Sequence, residues 1–294
     1  MKTKRSIVLH GPSTLTISLP AKWVRQHNLS KGDELVIKED GGSLKIYPEE
    51  VSYVENKIVV DVDSEEKVGK SSITGAYRQG YDEIEIKFKN KNYIHEIQDL
   101  ISKQLMGFEI VKQGDNSCII KDLTGHIKNE FDIVYRRIWL LLLDLAEEVE
   151  KKENLSIISI ESKDRVINKL CNYCIRHLLK IGTEDRKKTI LYYHLIKSIE
   201  EIADNYKNMY IESSKNNEKF EKNGSLFISK VNIKLNEFYH IFYNYKKENM
   251  EIIFADLKKI INDLNREKNK NSYIQNTAVK LRDLLSALIE LNLK

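Results

Sequence analysis

At 294 residues, with 41% hydrophobic and 31% charged side chains, the chain exceeds a single small core and suits two or three domains. Three cysteines, Cys118, Cys171 and Cys174, exclude a disulfide framework, and a net charge of +4 says nothing for or against nucleic acid. Apolar runs such as Trp139 to Leu143 fall far short of the roughly 20 residues a membrane-crossing helix needs, so no membrane insertion is expected. No apolar stretch follows Met1-Lys2-Thr3-Lys4-Arg5, so a signal peptide is not expected either, and a soluble, cytoplasmic protein is. With 12 glycines and only 3 prolines, helix should dominate.

The first fifty residues read as short strands. Leu15, Ile17 and Leu19 alternate with Thr16 and Ser18, the period of a half-buried strand. Pro20 opens a short helix, Ala21 to His27, with Asn28 placed to end it. Leu35 and Ile37, a turn at Glu39-Asp40-Gly41-Gly42, then Leu44 and Ile46 make a hairpin.

Residues 51–124 predict a small α/β module of order β-α-β-α-β-β. Ile58-Val59-Val60 is a strand, and Asp63 with Glu66 resembles a capping box for a helix ending at Gly80. Ile84, Ile86 and Phe88 alternate as a strand. A second helix buries Ile94, Ile97, Leu100, Ile101 and Leu105, and strands around Phe108–Val111 and Cys118–Ile120 follow.

Residues 125–294 predict only helices. Ile127, Phe131, Val134, Ile138, Leu141, Leu145 and Val149 step by three or four, an apolar stripe along one face. Further helices are expected at about 161–181, 186–213, 221–245, 248–266 and 272–292, with breaks at Gly182-Thr183, near Asn223-Gly224 and in the polar run Asn265 to Ser272. Six such helices make a bundle, arranged as two three-helix units. The fold class is therefore α+β, divided as 1–50, 51–124 and 125–294.

Charge is sorted along the chain. Residues 1–32 hold Lys2, Lys4, Arg5, Lys22, Arg25 and Lys31 and no acid, whereas 33–50 hold six acids against Lys38 and Lys45. A basic surface of that kind attracts a phosphate backbone through counterion release, although a solvated face that happens to lack acids has the same composition.

The segments Ile7-Val8-Leu9-His10-Gly11-Pro12, Leu15-Thr16-Ile17-Ser18-Leu19-Pro20-Ala21-Lys22-Trp23-Val24 and Leu29-Ser30-Lys31-Gly32-Asp33-Glu34-Leu35 resemble the SpoVT–AbrB family over residues 5–48. The resemblance implies a swapped-hairpin β-barrel built by two chains, hence a homodimer, that binds double-stranded DNA. Lys2, Lys4, Arg5, Lys22 and Arg25 are the matching cations, arginine being the better choice for bidentate contacts. Family antitoxins use the same barrel, so the fold names no target.

In the helical part, Ile199-Glu200-Glu201-Ile202-Ala203-Asp204 places Glu200 and Asp204 at i, i+4 on one face, and an earlier helix offers Asp164 with Asn168. Residues 125–294 resemble PhoU-type phosphate-signalling bundles, and the whole chain resembles archaeal proteins that join an AbrB-like head, an α/β segment and a PhoU-like tail. The resemblance implies a divalent or ferric metal at Asp164, Glu200 and Asp204. Two departures count against it: Asn168 stands where the motif has an acid, and Asp283 has Val279 four residues before it. Surface carboxylates on a solvated helix face are the competing reading.

Cys171-x-x-Cys174 with His177 lies inside a helix and lacks a second ligand pair, so it reads as packing rather than zinc. Glu237-x-x-His240 is a single motif where a di-iron bundle needs two. No Walker loop, dinucleotide fingerprint or nucleophile elbow occurs, so an enzyme is not expected. The expected function is a DNA-binding transcription regulator responding to phosphate status. The alternative is an adaptor whose helical tail docks on a phosphate transporter or sensor kinase while the head dimerises.

Overall fold

The computed structural model describes residues 4–40, 42–48, 56–62, 66–124, 130–151, 156–183, 185–215, 222–267 and 271–293. Lys2, Asp63 and Ile127, named above, lie outside them. The chain divides into two compact units, Met1–Asn56 and Lys57–Lys294.

The first unit holds β1 (Ile7–His10), β2 (Thr14–Ile17), α1 (Ala21–Gln26), β3 (Leu35–Asp40) and β4 (Ser43–Pro48). β1 and β2 pair antiparallel, as do β3 and β4, and the two hairpins form separate two-stranded sheets. The alternating residues placed strand and hairpin correctly, but Leu19 lies beyond the end of β2. Helix α1 starts after Pro20, whose fixed φ suits a helix start, and Asn28 ends the turn in the left-handed region at φ 51°.

The second unit begins with β5 (Lys57–Asp61), α2 (Glu66–Arg78), β6 (Glu83–Lys87), α3 (Tyr93–Gln104), β7 (Phe108–Gln113) and β8 (Ser117–Asp122). These strands form one sheet in the order β5-β6-β8-β7, with β5 and β6 parallel and the remaining pairs antiparallel. One face is apolar: Val60, Ile84, Ile86, Cys118, Ile120 and Phe108 are buried under α2 and α3. Because successive strand residues point to opposite faces, the other face carries a cross-strand row of alternating charge, Lys57, Glu83, Lys121 and Glu109.

Among the described residues six helices follow: α4 (Phe131–Lys151), α5 (Ile157–Lys180), α6 (Arg186–Lys215), α7 (Lys222–Tyr243), α8 (Lys247–Arg266) and α9 (Ser272–Leu291). The first three pack on one another, as do the last three, and α6 on α9 and α4 on α7 join the two sets around one apolar core. One boundary differs from those expected. Helix α5 begins at Ile157 rather than near 161, because the Ser156 hydroxyl accepts from the Ser159 N–H and caps the extra turn. Helix α7 starts at Lys222, close to the expected 221, and includes Asn223-Gly224 in its first turn. Along α4 the inward stripe rotates slightly: Trp139 and Leu142 are fully buried, while Leu141 lies partly exposed at the edge. Trp139 anchors the core against the rings of Tyr135, Phe238, Tyr239 and Phe242. Among the described residues, no helix is long and apolar enough to cross a membrane.

Helices α2 and α3 lie between the sheet and α5. The module and the bundle each bury their own apolar cluster, and the seam between them is polar. Arg176 of α5 is its centre. With only 1% of its surface exposed, it donates to the Tyr77 carbonyl at 2.9 Å and the Tyr81 carbonyl at 2.6 Å. It also donates to Asp82 Oδ1 at 3.0 Å and Asp122 Oδ2 at 3.1 Å. The rings of Tyr77 and Phe108 flank its guanidinium at 5.1 and 5.0 Å. Lys180, one turn further along α5, also pairs with Asp82. The seam continues through Arg78 to Asn172 at 2.7 Å, Asn172 to the Gln104 carbonyl at 3.2 Å, and Lys169 to the Ser102 carbonyl at 2.8 Å.

Candidate nucleic-acid interface and carboxylate cluster

Every residue of β1 and β2 is exposed. In β1 and β2, Ile7 faces Ile17 and Leu9 faces Leu15, so the four share one face of the hairpin. They are exposed by 66%, 54%, 61% and 66% respectively. In β3 and β4, Ile37 pairs with Ile46, and Ile37 and Leu44 stand open in the same way. A lone two-stranded hairpin is marginal in water, and one with a bare apolar face needs another surface to cover it.

Four cations of this unit are solvent-facing. Lys4, Arg5, Lys22 and Arg25 are all exposed. Arg25 is steadied on its helix by donating from Nε to the Ala21 carbonyl at 3.3 Å, a bond that does not use its terminal nitrogens. The rings of Trp23 on α1 and His27 at its C-cap lie tilted by 49°, with centroids 4.8 Å apart. The chain then turns at Ser30 to Asp33, where the Asp33 carboxylate accepts the Ser30 N–H at 2.7 Å.

The three carboxylates expected to share a metal are not brought together. Glu200 turns toward the α/β module, where Arg78 reaches it at 3.5 Å and Lys197 at 2.5 Å. Asp164 and Asp204 do approach each other, but across the ammonium of Lys207, which bonds Asp164 at 2.8 Å and also pairs with Asp204. Asn168 donates its amide to Asp164 at 3.2 Å. Burial raises the Asp164 carboxyl above its ordinary pKa, with Lys207 pulling it back in part. Among the described residues no three His, Cys, Asp or Glu side chains form a group that could hold a metal ion. The donor set does not fit the expected metal, because a cation of the chain's own already lies in it.

Cys171 and Cys174 are fully buried, and burial raises both thiols well above their usual pKa, which suits packing rather than reactivity. Glu237 pairs with Lys234 at 2.9 Å. The arginine clamp at Asp82 and Asp122 was not read from the sequence. Its one signal is Arg176 set among Cys171, Cys174, Ile175 and Leu178, on a helix whose inward face has no room for a solvated cation.

A family model described as antidote-toxin recognition MazE, bacterial antitoxin, matches residues 10–60. No curated protein and no solved structure matches the chain. The match falls on the AbrB-like segment and ends one residue before the end of β5.

Proposed function

We propose that the chain is a homodimeric DNA-binding regulator, its first unit completed by a second copy and the cations of residues 1–32 turned toward a duplex. The observation that carries this reading is the open face of Ile7, Leu9, Leu15 and Ile17, coupled to a leading segment with six cations and no acid. Two bare hairpins per chain are what a barrel shared between two chains supplies, and closing it unites the cations of both copies on one surface. The match to an antitoxin model over residues 10–60 supports the same kind of head. Lys4, Arg5, Lys22 and Arg25 are the proposed contacts, together with Lys2. The helical bundle is the proposed sensing or docking part. Phosphate status as its signal, and a transporter or sensor as its partner, rest on the resemblance of residues 125–294 to PhoU-type bundles.

The test is binding of the full chain to a random-sequence duplex as a function of salt. Each phosphate contact contributes about 0.9 to the slope of log K against log salt. Arg5→Ala and Arg25→Ala should each lower that slope by about one contact while leaving the thermal unfolding curve in place. No binding in dilute buffer, or an unchanged slope in both variants, overturns the reading. The words of the matched model favour a second reading, an antidote that neutralises a toxin. Relief of growth arrest on co-expression with the product of a neighbouring gene would favour it over a regulator acting alone.

A further inference from the structure

The carboxylate cluster between α5 and α6 carries an inference independent of the head. Asp164 is nine-tenths buried or more, with one carboxylate oxygen bonded and the other, Oδ1, buried without a partner. The Oδ1 of Asn168, one turn along α5, is also buried and unpartnered. Asp204 reaches in from α6. These are hard oxygen donors from two helices, the kind of set that attracts Mg²⁺, Ca²⁺ or Mn²⁺. What lies among them is the Nζ of Lys207, bonded to both carboxylates.

We propose that the Lys207 ammonium is the resident cation of this cluster, tying α5 to α6 in place of a metal ion, so that the helical bundle needs no metal. The geometry argues it in three steps. A primary ammonium has three N–H donors and a compact charge, so it can satisfy Asp164 and Asp204 and keep one proton for a third acceptor. Asn168 supports the arrangement from the other side: its amide donates to the same Asp164 Oδ2 at 3.2 Å, so the oxygen that accepts from Lys207 is held by two donors. Finally, a divalent ion entering the cluster would meet the ammonium of a lysine rooted one turn from Asp204, and like charges in a half-buried site repel strongly. Burial works against the Lys207 charge, but the two carboxylates outweigh it and hold its pKa above the usual lysine value. The departures noted in the sequence fit this picture. With Asn168 in place of an acid, the cluster carries two negative charges and one tethered positive charge, a balance that an added dication would upset.

The test compares the wild-type full chain with Lys207→Ala, by elemental analysis of protein purified without chelator and by thermal unfolding with EDTA or millimolar Mn²⁺. The wild type should carry no stoichiometric metal and keep its Tm in both conditions. Lys207→Ala should lose stability and regain it with Mn²⁺, its Tm rising by about 5 °C or more as the ion takes the vacated place. A wild type that holds near one equivalent of metal, or loses Tm in EDTA, overturns the proposal. So does a folded Lys207→Ala chain indifferent to Mn²⁺, since the cluster is then no cation site. If Lys207→Ala fails to fold with or without Mn²⁺, Lys207→Met combined with Asp164→Asn carries the test. Recovery of cooperative folding supports the proposal by tracing the defect to the uncompensated carboxylate, and continued failure overturns it.

Discussion

Replacing Arg176 with methionine keeps most of the side-chain stem and removes the charge. Two buried carboxylates, Asp82 and Asp122, then lose their shared guanidinium, and the carbonyls of Tyr77 and Tyr81 lose a donor each. Asp82 keeps Lys180, and Asp122 keeps the Thr124 N–H at 3.0 Å and the Thr124 hydroxyl at 2.5 Å, so neither is wholly abandoned. Breaking a buried pair from one side costs about 3–5 kcal/mol, and the retained partners place this case near the middle, at about 4 kcal/mol. For a unit of this size the loss corresponds to a Tm lower by roughly 8–16 °C. The assay is urea unfolding of chains carrying Trp23→Phe, so that Trp139 is the one remaining tryptophan, followed both by far-UV circular dichroism and by fluorescence. Because the clamp joins module to bundle, the two probes should separate in Arg176→Met, having coincided in the wild type. Adding Asp82→Asn and Asp122→Asn should return much of the loss, since the penalty arises from stranded charge and not from missing attraction. A loss below about 1 kcal/mol for Arg176→Met alone would refute the reasoning, since it would mean that water or Lys180 already compensates the site.

Other outcomes follow from single features. Gly80 sits at φ +90°, and a Cβ there would lie 2.9 Å from Lys180 Cβ and 3.4 Å from its Cα, so Gly80→Ala should cost about 1–3 kcal/mol in thermal unfolding. His177 is buried, with no partner on either ring nitrogen, and burial lowers its pKa while Asp132 opposes weakly. The unfolded chain therefore binds that proton first. Stability should fall as pH drops from the unfolded value near 6.5 toward the folded one, and His177→Leu should flatten that limb of the stability–pH curve. Ile17→Asp places a charge on the open face of β1–β2, and analytical ultracentrifugation should show a monomer where the wild type sediments as a dimer; an unchanged dimer would mean another surface joins the copies.

Most elements were legible because their burial is periodic. Ile84, Ile86 and Phe88, or Ile138, Leu145 and Val149, announce a strand or a helix face whatever their neighbours. Side-chain electrostatics were less legible, for a physical reason. Glu200 and Asp204 share a helix face, and spacing alone cannot say that one meets Arg78, ninety-four residues from its own second partner Asn172, while the other meets Lys207. Charges choose partners across helices, and sequence periodicity reports only along them. The head shows the reverse case. Alternation located its strands, but Leu15 and Ile17, which it marked as half-buried, are among the exposed residues, because a period of two reports which residues share a face and not what covers that face.

The ionic seam between module and bundle has a consequence for how this molecule can change over generations. Each hydrophobic interior is bounded by polar groups and not by the other's methyl groups, so volume can be redistributed within either one unnoticed by its neighbour. Arg176, Asp82, Asp122 and Lys180 have no such latitude: a change at one removes an ionic partner from at least one other. Across kindred sequences these four positions should drift as a set or stay put, while the leucines and isoleucines on either side exchange freely.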